Sequence, residues 1–225
     1  MRWPLCRNAL SARAATGMAS VVALLVASSA PATSQNPQFT ERAYQDREIL
    51  YELGPPESHA FRITHDYTER KEGTKYYFNI VREGSHVSDP ESIDLDTGEN
   101  LKHEVLSGKQ VRERQLGPVD VKDDAEVVVT HLARGLVRGT TNRLRLKETY
   151  SDPKTYYLDG DELVWDRTFG RLRNTVVLPA GWYLTTSASP GTIQTLEDGR
   201  VAVYVVNARS DDVRVYLRAR RRNPK

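Results

Sequence analysis

Val213-Arg214-Val215-Tyr216-Leu217-Arg218 places Val213, Val215 and Leu217 on one side of an extended chain and Arg214, Tyr216 and Arg218 on the other. That period of two is the signature of a half-buried β-strand. Arg143 to Tyr150 repeats it, with Leu144 and Leu146 opposing Arg143, Arg145 and Lys147. Val201 to Val206 is apolar on both faces, which suits a central or doubly covered strand.

Outward from these segments the pattern recurs through the chain. Short runs rich in Val, Ile, Tyr and Thr, among them Ile49 to Leu53, Ala60 to Thr68, Lys75 to Arg82, Glu126 to Leu132, Glu162 to Thr168 and Trp182 to Ser187, alternate with Gly-containing turns. Asp159-Gly160 and Asp198-Gly199 are the strongest hairpin turns, and Ser107-Gly108-Lys109 reads as another turn. No helix-period stripe of four turns follows the N-terminal region. The expectation is an all-β fold, an antiparallel β-sandwich spanning 48–218, built as one module or as two packed sub-modules with a boundary near 117–124.

The N-terminus reads differently. Arg2, Arg7 and Arg13 precede an apolar stretch from Met18 to Ala27 and a small-residue run that ends in Ala30-Pro31-Ala32. This is the layout of a secretory signal peptide over 1–32, and its apolar core is too short to span a bilayer. A flexible leader over 33–47 follows, and Arg220-Arg221-Arg222 lies in a basic C-terminal tail over 219–225. The expected destination is exported, periplasmic or extracellular, with no transmembrane segment in the mature chain. The single Cys6 lies before the apolar stretch, so a mature chain cut after Ala32 has neither disulfides nor thiolate chemistry.

Charge is segregated along the chain. Removal of the three early arginines turns the formal charge of +2 into −1, composed of −8 over 33–132 and +7 over 133–225. Fields of that size meet their complement inside the molecule or mark a surface for an oppositely charged partner. Arg143, Arg145 and Lys147 on one strand and Arg214 and Arg218 on another form a single cationic binding surface if the two strands share a sheet. Its partners outside the cytoplasm are an anionic glycan, a lipid headgroup or an acidic protein, and export argues against nucleic acid.

No catalytic motif appears. His103-Glu104 starts a zincin-like pattern without its second His, and His59, His65, His86 and His131 have no metal-ligand spacing. Asp94-Leu95-Asp96-Thr97-Gly98-Glu99 is explained by turn chemistry without calcium. Neither a nucleophile elbow nor a phosphate-binding loop is present, and no cofactor is implied. The clustered aromatics Tyr76-Tyr77-Phe78, Tyr156-Tyr157, Trp165 and Trp182-Tyr183 are read as core residues before sugar platforms.

Tyr51-Glu52-Leu53-Gly54-Pro55-Pro56-Glu57-Ser58-His59-Ala60-Phe61 resembles the opening hairpin of the N-terminal β-sandwich in secreted zinc aminopeptidases of the M1 and M61 type. Leu178-Pro179-Ala180-Gly181-Trp182 resembles an inter-strand turn of the same domains. The resemblance implies a sandwich fold without the catalytic domain, because this sequence has no H-E-x-x-H, and it carries over no catalytic residue. The resulting expectation is a non-enzymatic exported module that binds an envelope partner. Two alternatives stay open: a hydrolase of envelope polysaccharide or peptide using unidentified carboxylates, marked by a concave site with converging carboxylates and His, and a structural or assembly subunit, marked by an exposed edge strand.

Overall fold

The computed structural model describes residues 47–117, 120–208 and 211–222. The stretch expected to be a signal peptide and nearly all of the expected leader lie outside the described residues. Strand accounts for 55% of the structure and helix for 5%, so the fold is an all-β sandwich.

Fourteen strands are present among the described residues: β1 (Arg47–Leu53), β2 (Ala60–Glu69), β3 (Tyr76–Ile80), β4 (His86–Asp94), β5 (His103–Ser107), β6 (Glu126–His131), β7 (Asn142–Ser151), β8 (Tyr156–Asp159), β9 (Glu162–Phe169), β10 (Arg173–Val177), β11 (Trp182–Ser187), β12 (Thr192–Thr195), β13 (Val201–Val206) and β14 (Val213–Arg221). They form a seven-stranded sheet in the order β12-β13-β10-β1-β2-β7-β4, a four-stranded sheet in the order β11-β14-β9-β8, and a three-stranded sheet in the order β3-β6-β5. All neighbours are antiparallel except β1 and β10, where Glu48 to Glu52 run parallel to Arg173 to Val177. A parallel pair needs a long crossover, and here the intervening chain builds most of the molecule.

The two smaller sheets cover one face of the large one. Ile49, Tyr51, Leu53, Phe61 and Ile63 of the large sheet, with Val176, Val201, Val203 and Val205, pack on Leu163, Trp165, Phe169, Val215 and Leu217 of the four-stranded sheet. Further along the same face, Tyr67, Leu144 and Leu146 pack on Tyr77 of the three-stranded sheet. Phe61 meets Trp165 edge-on at 4.9 Å and Tyr51 stacks on Phe169 at 4.9 Å, arrangements that the aromatic quadrupole favours. Trp165 and Trp182 are both buried and serve the core, whereas Tyr183 next to Trp182 is exposed.

Three local features refine the sequence expectations. Ser107-Gly108-Lys109 opens α1 (Gly108–Glu113) where a turn was expected. Ser107 accepts from the Gln110 backbone N–H and the Gln110 side chain accepts from Ser107, a capping box that the spacing S-x-x-Q permits. The strand β14 continues through Ala219, Arg220 and Arg221, residues the sequence reading places in the basic tail, because Ala219 is fully buried and Arg220 pairs in register with Glu162. Finally, β1, β2 and β4 from the acidic half share one sheet with β7, β10, β12 and β13 from the basic half.

Candidate functional site

The two covering sheets leave a seam, and a cavity of about 330 Å³ lies in it. Its floor is the inward face of β1 and β2, where Ile49 is paired with His65 and Tyr51 with Ile63. One wall is the end of β3 and the segment after it, with Asn79, Ile80 and Arg82. The opposite wall is the end of β9 and the turn beyond it, with Arg167, Thr168, Gly170 and Arg171, and Asp212 joins them. Arg82 crosses the seam and donates to the Thr168 carbonyl at 2.6 Å.

The lining is polar for positions facing a sandwich core. His65 falls in the phase of Phe61 and Ile63, and Arg167 in the phase of Leu163, Trp165 and Phe169. Behind the wall, Glu148 takes the phase of Leu144, Leu146 and Tyr150. Glu148 is 2% exposed and accepts from the Asn79 amide at 2.6 Å, and Asn79 also donates to the Tyr150 hydroxyl at 3.2 Å. Arg167 is anchored by Asp152 at 2.9 Å, a pair in which both side chains are buried, and Ser85 donates to the same carboxylate at 2.9 Å. Of the nine buried polar atoms without a hydrogen-bond partner among the described residues, three belong to this group: His65 Nε2, Glu148 Oε1 and Arg167 Nε. Buried polar atoms without partners are rare enough to call for an explanation.

The electrostatics run one way. Burial, reinforced by Arg47 and Arg171, lowers His65 to about 3 and keeps the imidazole neutral. Burial raises the Tyr51 hydroxyl, against the pull of Arg167, Arg82 and Arg171. Burial and then repulsion from Arg167 lower Arg82. Burial likewise raises Glu148, favouring its neutral form. The cavity therefore presents three guanidinium groups against one lining carboxylate, Asp212, with a neutral imidazole and phenol hydroxyls, a donor-rich environment with an excess of positive groups.

The residues singled out from sequence lie elsewhere. Arg143, Arg145 and Lys147 are on β7 of the seven-stranded sheet, and Arg214 and Arg218 are on β14 of the four-stranded sheet, so the condition that the two strands share a sheet is not met. All five carry carboxylate partners: Arg143 with Asp96 at 2.7 Å, Arg145 with Asp66 at 2.6 Å, Lys147 with Glu91 at 3.6 Å, Arg214 with Asp166 at 2.6 Å, and Arg218 with Asp159 at 2.8 Å. The first three pairs join the acidic half to the basic half, as do Arg200 with Glu52 at 3.0 Å and Arg221 with Glu57.

Of the other histidines, His86 Nδ1 lies 3.4 Å from Glu126 and His103 Nδ1 is buried without a hydrogen-bond partner. His59 Nδ1 meets the Tyr156 carbonyl at 2.9 Å, and His131 Nε2 meets Glu104 at 2.7 Å. Asp94 accepts from the backbone N–H of Asp96 at 2.8 Å, the local bond expected of an Asx turn. Among the described residues no group of three or more His, Cys, Asp or Glu is arranged to hold a metal ion. No helix among them is long and apolar enough to cross a membrane.

No family model matches the chain, and no curated protein matches it. Among solved structures it is similar to an M1 zinc metallopeptidase from Deinococcus radiodurans, at 15% identity and a TM-score of 0.45. It is similar also to the E323A mutant of that metallopeptidase bound to a Tyr-Ser-Ala substrate, at 16% identity and a TM-score of 0.44. Both likenesses cover 77% of this chain and 41% of the other, so this chain spans less than half the length of the proteins it resembles.

Proposed function

We propose that this chain is a non-enzymatic β-sandwich module that acts outside the cytoplasm, at the cell envelope, and holds an anionic group of its partner in the seam cavity. The observation that carries this reading is the uncommitted Nε of Arg167 beside Arg82 and Arg171 in a cavity whose imidazole is neutral. A carboxylate or phosphate oxygen supplies the acceptor that Arg167 lacks, and charge-assisted bonds of this kind are the strong ones. Binding is favoured over hydrolysis by the arrangement of the acid groups. Glu148 bonds Asn79 and not a histidine, and the uncommitted His65 Nε2 has no carboxylate to orient it.

The test uses inorganic phosphate, acetate and glucuronate as probes on the full chain. Saturable binding that raises the thermal midpoint, weakens with added salt and falls about tenfold or more in Arg82→Gln supports the reading. An unchanged midpoint with all three anions, or equal binding by Arg82→Gln, overturns it.

A further inference from the structure

We propose that the free edge of β3 pairs with an extended, acid-ended peptide of a partner protein, whose terminal acidic group lies in the seam cavity; this rests on the anion-binding reading of that cavity and narrows the partner to a polypeptide.

The first observation is the state of the edge. In the β3–β6 ladder, Lys75 accepts from the Leu132 N–H and Val81 donates to the Glu126 carbonyl, which puts the odd-numbered residues of β3 in the hydrogen-bonded pairs. The N–H and C=O groups of Tyr76, Phe78 and Ile80 therefore point away from β6, and no hydrogen bond among the described residues takes them up. Two other edges, those of β4 and β11, are interrupted. The edge strand β4 carries Asp89 at φ 48°, then Pro90, with a register shift between Ser88 and Glu91, and β11 has a shift between Leu184 and Thr186. Tyr76-Tyr77-Phe78-Asn79-Ile80 has no charge, Pro, Gly or bulge, and Ile80 is 48% exposed. An apolar edge lacking all of these protections is a template for strand addition.

The second observation is the space beside that edge. A second cavity, of about 590 Å³, lies at the other end of β3 and is lined by Arg47, Tyr67, Lys75, Tyr76 and Phe78 among others. Its floor includes Arg47 and Tyr67, which are paired across β1 and β2. The next two inward pairs, Ile49 with His65 and Tyr51 with Ile63, floor the seam cavity. The two cavities thus occupy successive positions along the same pair of strands, on either side of the middle of β3.

Charge selects the occupant. Arg82, Arg167 and Arg171 stand with Asp212 at one end, and Arg47, Lys71 and Lys75 stand with Glu69 and Glu72 at the other. Arg47 Nε is itself buried without a hydrogen-bond partner. A second copy of this chain fits poorly. Antiparallel self-pairing centred on Phe78 sets Ile80 against the partner copy's Tyr76 and Arg82 against its Thr74, so no acid stands directly opposite the arginine of the seam.

The experiment measures binding of a short blocked peptide of alternating threonine and valine with aspartate at both ends, so that either strand direction presents an acid to the seam. Its counterparts carry lysine ends or N-methyl groups on alternate amides, and phosphate is titrated separately. Expected is binding by the aspartate peptide, with about tenfold or greater loss on N-methylation, on exchange of aspartate for lysine, and in Tyr76→Pro but not Tyr76→Thr. The proline variant leaves phosphate binding intact, since the Tyr76 N–H faces the free edge and Tyr76 does not line the seam cavity. Phosphate binding without peptide binding, or equal binding of the N-methylated peptide, overturns strand addition and leaves the cavity reading standing. Failure of phosphate and peptide alike overturns both, and self-association through Ile80 in place of peptide capture overturns the choice of partner.

Discussion

Glu148 and His65 set opposite limits on stability. A carboxyl whose folded value is raised by burial stabilises the native state fully below its ordinary value of 4.5, and that contribution is lost as pH rises through the raised value. A histidine lowered from 6.5 to about 3 works in the other direction, its contribution being present above 6.5 and lost as pH falls toward 3. Glu148→Gln is expected to gain in thermal midpoint relative to the parent as pH rises, whereas His65→Gln is expected to lose less than the parent on acidification. Parallel melting curves across pH check both, and a constant offset for either variant contradicts the assignment. Asp152 is a third control point, because it is the buried counter-ion of Arg167. Asp152→Ala leaves a buried guanidinium without its partner and is expected to cost about 3–5 kcal/mol, read by urea unfolding. A cost under 1 kcal/mol would show that water replaces the carboxylate.

The elements explain what the sequence disclosed and what it withheld. Alternation marks β7 and β14, and an unbroken apolar run marks β13, so these strands are legible from valine and leucine spacing alone. The polar residues of the seam were visible too, as interruptions of the apolar phase: Glu148 after Leu144 and Leu146, Arg167 after Leu163 and Trp165. Their meaning was hidden, because only pairing brings β2, β3 and β9 to one cavity. The short α1 was hidden for a local reason. Six residues are too few for an apolar stripe, and the capping box sits in a segment whose Gly also reads as a turn. A Cβ on Gly108 would lie 2.1 Å from the Lys122 carbonyl oxygen, so close approach of two backbones selects glycine there. Ser107→Ala is expected to cost about 1 kcal/mol through the lost cap, and Gly108→Ala more than that, since backbone must move. Denaturant midpoints of the two variants order these effects, and the reverse order would mean that the 120–126 loop yields easily.

For the molecule as a whole, the charge imbalance resolves into contacts between halves. Arg143, Arg145, Lys147, Arg200 and Arg221 all reach carboxylates from the first half. These pairs are mostly half-exposed and screened by solvent, so they steer assembly more than they stabilise it. The backbone ties the halves more firmly, since β2 pairs with β7 over ten residues and β1 with β10 over five. Fragments 33–117 and 118–225 expressed separately are expected to show no cooperative melting, and to regain it when mixed. Independent folding of either fragment would instead favour two sub-modules. The parallel pairing of β1 with β10 has a further effect, on time. The first strand of the sandwich receives one of its two neighbours only after the chain has been made past Val177. Contacts so distant in sequence make folding slow, and a growing chain keeps one side of β1 unpaired until β10 has been made.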